Sequence, residues 1–278
     1  MNMTGGSAAA FDVRGEIARD GRPRSLEPIV VLTYAHSGSE LLTQVLAANR
    51  KVACTSGTGI LPLCYSAAVS WQALERRGTK PSALALSSIR ALLGQMIAVL
   101  SAETGASCWC ETAFAAPAAA ETFLQVFPAA RFVCVHRSLE SVLREGIEGH
   151  PLGLGGTAFW PYATGHPGNN VATIAAYWTA NTEALLEFEN MHPQSCLRVR
   201  HEDLADDASG AVNGVLAFLG LNPRDHALLP DPISSSTAVN DASERGRVPL
   251  SNVPSHLLAR VKELYSRLDY PLPVLLDQ

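Results

Sequence analysis

His36, Ser37, Gly38 and Ser39 form the stretch of this chain best suited to hold an anion. Small side chains and a glycine let successive backbone N–H groups turn toward one charged group at the start of a helix, the arrangement that binds phosphate or sulfate. An ordinary turn capped by Ser37 or Ser39 would use the same residues, and no GxxxxGK[ST] stands here. His36 is either an imidazole that gains a proton beside an anion or a turn residue bonded to backbone. Arg137 carries a planar guanidinium fit for bidentate anion recognition, unless it pairs with Glu140 or Asp203. Glu111, after Cys108-Trp109-Cys110, is the first candidate for a general base and His36 the second. His136 is expected to face structure, and Arg245 and Arg247 are two further cations late in the chain.

The elements that must position these residues alternate in type. Pro28 to Leu32, Val52 to Thr55, Cys108 to Cys110, Arg131 to Arg137 and Cys196 to Val199 read as short strands. Helical spacing is predicted from Leu41, over Leu61–Arg77 and Pro81–Glu103, in the alanine-rich stretch up to Phe127, and over Val171–Met191, Ala208–Leu219 and Pro254–Leu268. Strands alternating with helices predict a parallel sheet flanked by helices, with ligands beyond the carboxyl ends of the strands. Gly149 to Asn170 is rich in Gly, Pro and aromatics, too long and apolar for a plain connector, and reads as a lid or acceptor-binding loop.

Composition narrows the function classes. With 278 residues, 47% hydrophobic and 17% charged, the chain can bury a full core, and its net charge of −5 argues against nucleic acid or anionic membrane as a partner. Residues 1–27 read as a flexible tail without an apolar signal region, and residues 28–278 as one domain. Ala91–Leu100 is interrupted by Gln95, so no membrane span and a cytoplasmic location are expected. The six cysteines lack metal-ligand spacing and read as reduced, small apolar residues; no metal is expected.

The order of these pieces resembles the sulfotransferase family that uses 3′-phosphoadenosine 5′-phosphosulfate (PAPS). Its first motif, PxxFIxGxxRSGTTLL, is similar to Pro28–Leu42, with Ser37, Gly38, Leu41 and Leu42 in place. Its second, FPxARFIxxxRDPxxVxxS, is similar to the run from Phe127 to Arg137. Trp178, Val199–Leu204, Phe218–Leu221 and the Arg245-Gly-Arg247 triplet add family-like pieces. The resemblance implies a sulfotransferase-like, P-loop-like α/β fold. It also implies PAPS held by Ser37, Gly38, Ser39, Arg137, Arg245 and Arg247, with Arg137 on the 3′-phosphate.

Departures from the motifs fall on the donor site. His36 stands where the family has a basic residue, Glu40 replaces a threonine, Glu145 replaces the serine after Arg137, and Glu111-Thr112-Ala113 replaces KTP. Three readings follow: sulfuryl transfer from PAPS to a hydroxyl or amine of a small metabolite; the same fold with another donor or reaction; and a noncatalytic binding protein. A carboxylate beside a polyanionic nucleotide raises the cost of binding it, which is what favours the second reading.

Overall fold

Ile29 to Thr33 is a β-branched, apolar run that is buried at every position, as a strand covered on both faces must be. This computed structural model describes residues 28–75, 81–102, 104–114, 116–223 and 250–272. The expected tail at 1–27 and the Arg245–Arg247 triplet lie outside the described residues. Five parallel strands are β1 (Ile29–Thr33), β2 (Val52–Ser56), β3 (Cys108–Phe114), β4 (Arg131–His136) and β5 (Cys196–Arg200), in the order β2-β3-β1-β4-β5. After β1 the chain turns toward one edge of the sheet and after β4 toward the other. The ends of β1 and β4, adjacent in the sheet, therefore leave a crevice between diverging connections, where ligands bind in open α/β sheets.

Helices cover both faces: α1 (Ser39–Ala47), α2 (Ile60–Glu75), α3 (Ala83–Ala102), α4 (Pro117–Val126), α5 (Leu139–Glu148), α6 (Trp160–Ala163), α7 (Asn170–Met191), α8 (His201–Asp206), α9 (Ala208–Phe218) and α10 (Ser255–Arg267). Alternate strand residues point to opposite sides. Val30, Leu32, Phe132 and Cys134 meet Phe123, Trp178, Leu186 and Val261 on one side; Ile29, Val31, Val133 and Val135 meet Leu42, Leu46, Val215 and Leu216 on the other. Each large apolar side chain buried this way contributes about 1.5–3 kcal/mol.

The structure corrects the expected elements at four places. β3 runs on to Phe114 because β1 and β2 continue beside it, so Glu111 lies within the strand, opposite Val30 and Thr55, and not at its exit. α5 and α8 follow β4 and β5 where no helix was read, and the stripe Leu139, Val142, Leu143, Gly146 docks α5 on the core. The segment 149–170 is built of turns and the short α6, anchored by fully buried Phe159. Finally, α3 spans 20 residues with a mean hydropathy of 1.7, long and apolar enough to cross a membrane, since the single Gln95 does not break it. Ala85, Ile89, Leu93 and Ile97 form its buried stripe, while Leu84, Leu92 and Val99 are exposed.

The cysteines are free thiols. One polar cluster lies inside the core: His136, wholly buried, places Nε2 2.6 Å from Glu189, which also accepts from Arg198 Nε at 2.7 Å. His136 thus faces structure, as its place before the strand end suggested. Burial alone would raise the Glu189 carboxyl, but His136 and Arg198 hold it below the usual carboxylate range. Glu189→Ala leaves His136 and Arg198 without their shared carboxylate and is expected to lower unfolding free energy by about 3–5 kcal/mol, read from urea midpoints at constant m-value.

Candidate functional site at the carboxyl ends of β1 and β4

The β1–α1 connection is a tight turn closed by the Ser37 N–H donating to the Tyr34 carbonyl at 3.1 Å. Within it His36 has φ 64° and Gly38 has φ 77°. Left-handed backbone is routine for glycine and tolerated by His more readily than by β-branched residues. Ser37 is buried with its hydroxyl bonded to Thr33. Ser39 begins α1, and Gly38 at the cap position supplies no side-chain oxygen, so neither serine caps the helix. The first-turn N–H groups of α1 therefore have no side-chain partner, the condition in which a helix end accepts an anion.

Arg137 reaches this turn from β4. Its backbone is fixed by buried aromatic hydroxyl and indole groups: the Trp178 indole N–H donates to its carbonyl at 2.8 Å and the Tyr34 hydroxyl at 3.1 Å, while its own N–H donates to that hydroxyl at 2.9 Å. Its guanidinium donates to the His36 carbonyl at 2.9 Å and pairs with Glu145 at 2.7 Å. The pairings with Glu140 or Asp203 are not formed, because Glu140 accepts from Tyr265 and Asp203 holds Arg200. Arg137 Nε is buried with no partner. Glu145 also approaches His36 Nδ1 at 3.5 Å. Burial pushes its carboxyl up, yet the hydrogen bonds from His36 and Arg137 outweigh that and hold it at about 2.

Two further groups frame the turn. His201, at the start of α8, presses its ring on Gly38 so closely that a Cβ there would lie 2.2 Å from its Nδ1. Burial and the neighbouring Arg137 charge lower its pKa. On the other side Phe159 stacks on His36 with centroids 5.6 Å apart and planes within 8°, and His150 meets both rings edge-on. The Tyr177 hydroxyl accepts from the Ala35 N–H at 2.8 Å. Segment 149–170 thus roofs the turn.

The structure brings together His36, Ser37, Gly38, Ser39 and Arg137, adds Glu145, and leaves Glu40 exposed to solvent. Glu111 stands apart, 2% exposed, with one oxygen accepting from the Thr58 N–H at 2.9 Å and the other from the Thr55 hydroxyl at 2.5 Å. Tyr34, Tyr177, Phe159 and His201 were not singled out as site residues; only the crowding of aromatics in segment 149–170 and on α7 hinted at them. A cavity of about 380 Å³ lies elsewhere, between β5 and α9, lined by Leu197, Val199, Asp206 and Val215 among others. Among the described residues no cluster of His, Cys, Asp and Glu is arranged to hold a metal.

The sequence model of the sulfotransferase family matches residues 28–225, most of the chain and all of the turn, β4 and α7. The chain belongs to the sulfotransferase family. Solved structures share the fold. The sulfotransferase domain from the curacin biosynthetic pathway superposes with a TM-score of 0.59 at 15% identity, covering 89% of this chain and 99% of that one. The sulfotransferase domain of the Synechococcus PCC 7002 olefin synthase gives 0.54 at 14%, covering 90% and 97%. The Alicyclobacillus acidocaldarius sulfotransferase gives 0.54 at 10%, covering 88% and 97%. No curated protein matches the chain. This sulfotransferase-family transferase therefore places its turn and Arg137 on a shared five-stranded scaffold.

Two outcomes test the site's construction. Gly38→Ala meets both a left-handed backbone and the His201 ring, and is expected to destabilise by more than the roughly 1–2 kcal/mol of the backbone alone. Adding His201→Ala should return the loss to that backbone value in urea unfolding. The Glu145 carboxyl is depressed on folding, so its contribution is complete above its ordinary value of 4.5 and is lost as pH falls through about 2. Glu145→Gln should flatten that acid limb of the stability curve while leaving its shape near neutrality.

Proposed function

We propose that the protein transfers a sulfuryl group from a nucleotide phosphosulfate to a hydroxyl or amine of a small, partly apolar metabolite, with PAPS as the donor that the family resemblance implies. The observation that carries this reading is the uncapped start of α1 beside Arg137, at the point where the connections after β1 and β4 diverge. The sulfuryl-bearing end of such a donor fits the start of α1 at Gly38 and Ser39, where first-turn N–H groups without a side-chain partner can receive an anion without any lysine, while the Ser37 N–H closes the turn on the Tyr34 carbonyl. The 3′-phosphate of PAPS fits less well, because Glu145 already occupies the guanidinium of Arg137.

Sulfuryl transfer asks two things of the protein: fixed donors around an anion, which also hold the nucleotide phosphate that leaves with the electron pair of the broken sulfur–oxygen bond, and a base for the proton the acceptor loses as its oxygen or nitrogen bonds to sulfur. His36 is the better placed base. Its side chain is 24% exposed at the turn, Glu145 faces its Nδ1, and Nε2 is the nitrogen left to receive a proton. Glu111, buried with both oxygens engaged, instead ties the β2 end to the sheet. Half-buried Tyr162 and His150, backed by buried Phe159, offer a partly apolar wall for an acceptor, in the manner of small-molecule sites. Nothing in this reading places the chain in the membrane, and a cytoplasmic enzyme remains the proposal.

The test is turnover of nucleotide phosphosulfates with panels of phenols, alcohols and amines, read by mass spectrometry as the addition of one SO3 unit to the acceptor. His36→Ala is expected to lower kcat by about 10²–10⁴-fold in a folded protein, with KM little changed. Absence of any sulfated product across the panels would overturn the reading, and an unaffected His36→Ala would remove His36 from the role of base.

A further inference from the structure

We propose that Glu145 selects the donor, and that the group facing Arg137 is a free sugar hydroxyl and not a phosphate. The inference rests on the nucleotide-donor reading above and concerns the end of the donor away from sulfur.

Three observations support it. First, both terminal nitrogens of Arg137 already have a partner, one donating to the His36 carbonyl at 2.9 Å and the other pairing with Glu145 at 2.7 Å, so an added group meets remaining N–H donors whose charge is already compensated. Its charge is matched inside the protein by a carboxylate that also faces His36 at 3.5 Å. Second, Glu145 is held ionised by two partners well below its ordinary range, so it does not step aside by taking a proton near neutral pH. A phosphate brought here either displaces that carboxylate or lies against it. Third, the Glu145 side chain is 35% exposed, which leaves it within reach of a ligand. An ionised carboxylate only accepts hydrogen bonds, so its partner must donate.

A ribose hydroxyl donates; a phosphate does not. Dinucleotide sites follow the same chemistry, with a carboxylate on a free ribose hydroxyl and an arginine on its phosphorylated form. The start of α1 is a separate acceptor of negative charge, so one anionic end is still bound. The ligand that satisfies both ends is a nucleoside 5′-phosphosulfate with an unmodified ribose. Arg137 then acts as a positioning residue, holding Glu145 ionised and pointed at the sugar.

Calorimetric titration of the full chain with AMP and with adenosine 3′,5′-bisphosphate tests this without any variant. The wild type is expected to bind AMP at least as tightly as the bisphosphate. Glu145→Ser, and Glu145→Gln as the variant of closer shape, should gain at least tenfold for the bisphosphate and lose several-fold for AMP. A wild type that binds the bisphosphate tenfold tighter than AMP overturns the inference and leaves the sulfuryl-transfer reading with PAPS standing. Failure of both nucleotides to bind at millimolar concentration overturns the donor reading and the inference together.

Discussion

The backbone of Arg137 is the joint on which the site depends. Its N–H and carbonyl both sit on the Tyr34 hydroxyl, and the carbonyl also takes the Trp178 indole. Three parts of the chain far apart in sequence, the end of β1, the end of β4 and the middle of α7, are locked together by groups that are buried and polar. Such groups destabilise when left unpaired, so the geometry is reinforced from every side. Burial raises the Tyr34 phenol, which keeps it protonated and able to donate. The position of the guanidinium follows from this clamp, and with it the position of the turn whose carbonyl it binds.

Charge compensation gives the site its character. A buried arginine without an anion would face a large desolvation penalty, and Glu145 on the next helix removes it. The same carboxylate turns toward His36, so one acidic side chain sets the electrostatics of both polar groups at the turn. The positive charge at the turn is thus compensated within the protein, whereas the oriented N–H groups at the start of α1 have no side-chain partner.

The segment between α5 and α7 adds shape and dryness. Phe159 is fully buried under the sheet end yet stacks on His36, and Tyr177 bonds the turn from α7. Aromatic packing thus restrains the histidine in a left-handed conformation that a free turn would populate only sparingly.

Local sequence determined the strands, most helices and the small-residue turn after β1, because β-branched runs, helical periodicity and small-residue turns act over a few residues. Ser37, Gly38 and Arg137 were legible for the same reason: a short turn after one buried strand, and a cation ending another. Tertiary structure decided the partners. That Glu145 and not Glu140 or Asp203 meets Arg137 depends on α5 starting at Leu139 and turning its apolar stripe inward, which swings residue 145 back over the turn. That Glu111 is buried depends on β3 being flanked by β1, paired with it as far as Phe114, and β2, paired as far as Thr112, so the pairing carries the strand past the point where its apolar run stops. Hydrogen-bond ladders and packed helix faces are long-range constraints, and no window of sequence contains both sides of them.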